Sequence, residues 1–117
     1  MSGRNQAVGG WGEQVAVGYL ERRGYKMMAR NIRTPYGEID IVAEKDGFTI
    51  FVEVKARTSS SLGPPEISVT PKKQAHMRAA AEHYAQANEL DHWQIDVIAV
   101  ERRTGNKPEI THFERAI

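Results

Sequence analysis

Apolar and polar residues alternate through GEIDIVAEKDGFTIFVEVKAR, residues 37–57, on both sides of Asp46-Gly47. That pattern predicts a β-hairpin closed by a two-residue type I′ turn. In the second arm, Ile50, Val52, Val54 and Ala56 share one face, with Phe51, Glu53, Lys55 and Arg57 on the other. Ile39 and Ile41 are both expected to point away from Asp40. The turn sets Asp40 opposite Glu53 and Glu38 opposite Lys55, so one face of the hairpin gathers three acids and a lysine. A register two residues different would set Asp40 against Phe51, so the arrangement depends on the turn.

Around this hairpin the pattern changes period. Residues 5–23 read as a helix ending at Gly24. At about 100° per residue, Gly9, Gly12, Tyr19 and Leu20 lie within about 60° of Ala16, a face that can approach a sheet closely. Glu13 falls at the edge of this inward face, and Trp11 lies well off it. YKMMARNIR predicts a strand leading to a turn at residues 34–37, whereas TSSSLGPPEIS, within 58–68, reads as a mobile loop. A second helix opens with Thr70 as N-cap and Pro71 in its first turn, and runs to about Asn88. HWQIDVIAV and EITHFE predict two more strands, joined by a turn at RRTGNKP.

The order is therefore helix, three strands, helix, two strands. It predicts one α/β domain over residues 1–117, a mixed sheet with both helices packed on it and the acids at one edge. No apolar run approaches the ~18 residues of a membrane span. The segment MSGRNQAVGG has no apolar core of the secretory type, so a cytoplasmic protein without a membrane partner is expected. There is no cysteine, which leaves oxygen or imidazole ligands for any metal. Net charge is only +1, but the basic residues fall in clusters that could meet phosphates if the acids converge elsewhere.

Two opposed carboxylates repel unless one holds a proton or a cation lies between them. Mg²⁺ or Mn²⁺, held by one or two carboxylates with water and substrate phosphate, would resolve that conflict at Asp40 and Glu53. Lys55 could then orient a water or offset charge developing on a phosphate. Acid, acid, lysine and metal together describe a phosphodiester-hydrolysing centre. A Glu38–Lys55 salt-bridge ladder, with Asp40 and Glu53 solvated, is the plainer reading of the same spacing, although it leaves the opposed acids unexplained.

Asp40, twelve intervening residues and Glu53-Val54-Lys55 resemble the PD-(D/E)xK signature of restriction-endonuclease-like nucleases. GEQVAVGYLERRGY, ARNIRTPYGEIDIVA, FVEVKAR and QIDVIAV resemble, more closely, the YraN-like family of uncharacterised bacterial proteins, over residues 9 to about 100. That family is similar to archaeal Holliday-junction resolvases. The resemblance implies a restriction-endonuclease-like fold, catalytic Asp40, Glu53 and Lys55, and a metal held by Asp40, Glu53 and Glu13. It also implies DNA, branched or otherwise structured, as substrate, and a homodimer by analogy with enzymes that make two cuts. Ile39 stands where the motif's name has proline, and Gln94-Ile95 where relatives tend to have an arginine-aromatic pair.

Glu13 on an inward face needs a metal or an ion-pair partner. Glu38 is placed to orient Lys55 rather than to bind metal. Gln74 could contact a phosphate or be an ordinary exposed helix residue. Arg57, Lys72 and Lys73 are candidate phosphate contacts; the two lysines oppose the helix macrodipole, which favours anions at that end. Asp96 lies between apolar neighbours and can be structural. The four histidines share no ligand spacing and are assigned no metal. Trp11 and Tyr36 could stack on bases or simply pack. A non-catalytic nucleic-acid-binding module and a protein-interaction domain remain alternatives to the metal-dependent endonuclease.

Overall fold

The computed structural model describes residues 3–57, 70–102 and 107–117, with side chains from residue 10 onward. Helix α1, Gly3–Arg22, ends where Gly24 takes a φ of +89°, a conformation that costs glycine little. Tyr25 N–H donates to the Leu20 carbonyl and Gly24 N–H to that of Glu21, the paired bonds of a Schellman stop. Strands β1 (Lys26–Thr34), β2 (Gly37–Lys45) and β3 (Phe48–Arg57) follow. Helix α2 is Pro71–Ala87, and β4 (Trp93–Glu101) and β5 (Glu109–Phe113) complete the chain. The expected 58–68 loop lies outside the described residues, as does the middle of the expected turn before β5.

The expected cap of α2 forms: Thr70 Oγ1 accepts from Lys73 N–H at 3.2 Å. The β2–β3 turn forms as well, with Asp46 at φ 52° and Gly47 at φ 82°, both left-handed as a type I′ turn requires. Sheet order is β1-β2-β3-β4-β5, antiparallel except between β3 and β4, which run parallel across the α2 crossover. The result is a mixed α/β fold in the predicted element order.

Alternation along the central strands feeds two cores. Ile41, Ala43, Ile50, Val52, Ile98 and Val100 meet Ala16 and Leu20 of α1. Val42, Phe51 and Ile95 meet Ala80, Ala81 and Ala85 of α2. Trp11 corrects its expected position, because it packs against the α1-side core with the Arg102 guanidinium 4.5 Å over its ring. Among the described residues, no helix is long and apolar enough to cross a membrane.

Gly12 sets how closely α1 lies on β3. A Cβ added there would stand 2.5 Å from the Ala56 Cβ, inside contact distance. Gly12→Ala is therefore expected to destabilise by about 1–3 kcal/mol through overpacking, despite alanine's higher helix propensity. Thermal denaturation monitored by circular dichroism would measure this as a lowered Tm. An unchanged or raised Tm would mean that helix and strand separate at little cost.

Candidate active site

The β2–β3 ladder runs from Lys45–Phe48 to Ile41–Val52, and that is its last pair. Beyond it β3 stays paired with β4 as far as Arg57–Glu101, while β2 stays paired with β1 as far as Gly37–Thr34. Asp40 sits where the two strands part. Its Oδ2 accepts from Val54 N–H at 2.8 Å, so a side chain takes over the role of a ladder carbonyl. The acids thus lie on the second and third strands of five, inside the sheet, which corrects their expected place at its edge.

The local phase explains how Asp40 comes to turn this way. Ile41 belongs to the α1-side core, whereas Ile39 packs with Val42 in the α2-side core. The two isoleucines therefore do not share a face, contrary to simple alternation. The pairs Arg30–Ile41 and Ile32–Ile39 leave Asn31 opposite Asp40, and Asn31 adopts φ 53°. Asparagine tolerates that left-handed conformation better than most residues. The break turns the Asp40 carboxylate toward β3 instead of squarely onto one face.

There it meets Glu53. Burial first, and then the Glu53 charge, push the Asp40 carboxyl up from its ordinary 3.8 to about 7, only partly offset by the Val54 N–H. A hydrogen bond between the two carboxyls adds to the rise. The Asp40 carboxyl therefore keeps its proton much closer to neutrality than an ordinary carboxyl does, as expected for like charges brought together away from water. Lys55 Nζ lies 3.5 Å from Glu53 Oε2. The expected Lys55 ion pair with Glu38 is replaced by this one, because the strands diverge before Glu38 and Lys55 can pair.

Glu13 reaches the same place from α1. Burial first, and then the Asp40 charge, raise its pKa, while Arg30 and Asn31 pull it back. Arg30 Nη2 donates to Glu13 Oε1 at 3.4 Å. The Asn31 amide, oriented with its nitrogen toward the carboxylate, donates to both oxygens at 3.2 and 3.1 Å. Sequence reasoning passed over Asn31, although an asparagine among strand-forming residues signals a break in alternation. Among the described residues, no three His, Asp or Glu side chains gather closely enough to enclose a metal by themselves.

On the α2 side Glu53 opens into a cleft of about 330 Å³, lined also by Tyr36, Glu38, Lys55, Lys73 and His76, with Met77 and Ala80 behind. Lys73, His76, Met77 and Ala80 recur at three- and four-residue spacing, so one face of α2 forms the wall. His76, assigned nothing from its spacing, is part of that wall. Lys72 and Gln74 are exposed in the first turn of α2. Arg57 instead holds a buried carboxylate, its Nε 2.8 Å from Glu101 Oε2.

Asp96 stands apart from this cluster and is fully buried. It accepts from Gln94 Nε2 at 2.9 Å, Arg115 N–H at 3.0 Å and His112 Nε2 at 2.7 Å. The Tyr19 hydroxyl lies 3.0 Å from the other His112 nitrogen, extending the network to α1. Burial would raise the Asp96 pKa, but the His112, Arg115 and Gln94 bonds outweigh it and hold the group below its usual range.

The family model described as "Uncharacterised protein family UPF0102" matches residues 12–100, a span that contains Glu13, the hairpin and the α2 wall. The chain belongs to this family. A UPF0102 protein of Syntrophotalea carbinolica is 47% identical, covering 99% of the chain and 95% of that relative. One from Geobacter metallireducens is 47% identical, with coverages of 99% and 96%. One from Syntrophomonas wolfei is 41% identical, with coverages of 96% and 98%. UPF0102 membership therefore extends over essentially the whole chain, hairpin and cleft included.

Proposed function

We propose that this protein is a metal-dependent endonuclease of the restriction-endonuclease-like class, cutting branched or otherwise structured DNA. The observation that carries the reading is the meeting of Asp40 and Glu53 where β2 and β3 part, with Lys55 paired to Glu53 at 3.5 Å. A fold built for stability alone would not bring two carboxylates into a partly buried gap. The PD-(D/E)xK resemblance supports the same roles.

The donor set suits a hard divalent cation, since two carboxylates with water and substrate phosphate are a usual Mg²⁺ or Mn²⁺ complement. When bound, the cation supplies Lewis-acid activation of water and stabilisation of the leaving oxygen. Asp40 and Glu53 would hold it, with Asp40 ionised. Glu13, already engaged by Arg30 and Asn31, would support that ligand set from α1. Lys55 orients the attacking water and offsets charge on the phosphate, while Lys72 and Lys73 guide the neighbouring backbone. A homodimer would present two such centres for paired cuts.

Cleavage of labelled four-way junction, flap, single-stranded and duplex DNA with Mg²⁺ or Mn²⁺ tests this reading. Wild type is expected to cut, and Asp40→Asn and Lys55→Ala to lose at least ~100-fold in rate, as loss of groups acting on transition-state charge predicts. Wild-type protein that binds these DNAs without cutting any would favour the non-catalytic module. Cutting that survives both substitutions would place the chemistry elsewhere.

A further inference from the structure

The cleft beside the acids has a rim that hydrolysis does not require. Tyr36, in the β1–β2 turn, is 51% exposed although large and aromatic. Its turn is fixed: Thr34 Oγ1 donates to the Gly37 carbonyl at 2.7 Å and accepts from Tyr36 N–H at 3.1 Å. From below, His83 of α2 meets the ring edge to face, with centroids 6.0 Å apart. A costly exposed ring is thus held in place over the cleft by two elements of structure.

Along the wall under it run His76 and Lys73, with Lys55 and Glu53 on the floor. The cleft is therefore aromatic at the rim, cationic along one wall and acidic at the cutting end. Its volume, about 330 Å³, is at the lower end of the ~300–1,000 Å³ typical of small-ligand pockets. That suits one nucleotide rather than the width of a stacked duplex.

We infer that this cleft receives a single unpaired nucleotide, its base stacked on Tyr36 and its phosphate held by Lys73 and His76. The inference rests on the nuclease reading and narrows it: the bond to be cut lies beside an unpaired base, at a flap, gap, loop or junction crossover. Base stacking on an aromatic ring is sequence-tolerant, so Tyr36 selects for strand state and not for sequence. Lys73 adds a phosphate contact that salt weakens.

The test is fluorescence anisotropy with labelled single-stranded DNA and a blunt duplex of equal length, without divalent metal. Asp40→Asn is the parent, so that binding is read apart from cleavage. The parent is expected to prefer the single strand. Adding Tyr36→Ala should weaken single-strand binding roughly 5- to 100-fold with little change for duplex. Tyr36→Phe and Tyr36→Trp should retain the preference, and matching thermal denaturation would show that each variant folds. A parent that prefers duplex, or a Tyr36→Ala variant that binds the single strand as tightly as its parent, overturns the inference while leaving a nuclease possible. A parent that binds neither DNA overturns the inference, while the nuclease reading is decided by the junction and flap cleavage with metal.

Discussion

Asp40→Asn is expected to make the metal-free protein more stable at neutral and alkaline pH. The Asp40 carboxyl is raised from 3.8 to about 7 by burial and by Glu53, so folding disfavours its ionised form. Below pH 4 it is protonated in both states and costs nothing. Between pH 4 and 7 the native state binds more protons than the unfolded chain, and stability falls as pH rises; above 7 the full cost is present. Linkage alone sets that cost at about 4 kcal/mol, and the partial exposure of Asp40 to solvent brings the expected cost to about 2–4 kcal/mol. Asparagine keeps an oxygen for the 2.8 Å bond from Val54 N–H and carries no charge. Thermal denaturation at pH 8 should show Tm higher by roughly 5–15 °C in Asp40→Asn, the gap closing toward pH 4. Millimolar Mn²⁺ should raise Tm in the wild type and leave the variant unmoved. A variant less stable than wild type at pH 8 would mean that Asp40 serves the fold.

Asp96→Ala is expected to act in the opposite direction. The carboxylate is fully buried among three donors, from His112, Gln94 and the Arg115 backbone, which tie β4 to β5 and to the C-terminal turn. Removing it strands those donors away from water and should cost about 3–5 kcal/mol. That is a large part of the ~5–15 kcal/mol that holds a domain together. Urea denaturation would measure it as a lower midpoint with an unchanged slope. Asp96→Asn keeps one acceptor and should fall between. Because the folded pKa of Asp96 is depressed, its contribution is present above its unfolded value and is lost as pH falls through the folded one. A loss below about 1 kcal/mol in Asp96→Ala would show that water replaces the carboxylate.

The elements were legible where one local signal decided them. Thr70-Pro71 opens α2, Gly24 closes α1 and Asp46-Gly47 fixes the β2–β3 register, each through backbone chemistry within a few residues. From that register, and with Glu13 placed by its helical angle, the meeting of Asp40 and Glu53 could be expected. What escaped was set by tertiary partners. Alternation assigned Ile39 and Ile41 to one face, but the left-handed Asn31 on a neighbouring strand breaks the phase. Lys55 was expected to turn to Glu38 across the hairpin, but the ladder stops at Ile41–Val52 and leaves Glu53 as its partner. The Asp96 network draws on His112 and Arg115, beyond any local window, and Trp11 finds its place through Arg102 at the far end of β4.

The same contrast separates the two aspartates. Asp96 is buried with donors enough to hold its charge, whereas Asp40 is set against another acid with too few. The first pattern supports a fold, and the second leaves room for a cation. Calorimetric titration of Mn²⁺ into metal-free protein, wild type beside Asp40→Asn, tests that distinction most directly. Wild type should bind Mn²⁺, more tightly as pH rises through 7 and Asp40 gives up its proton, and Asp40→Asn should lose at least ~10-fold in affinity. Equal binding by both proteins, or none by wild type at pH 8, would contradict a divalent-metal centre at Asp40 and Glu53.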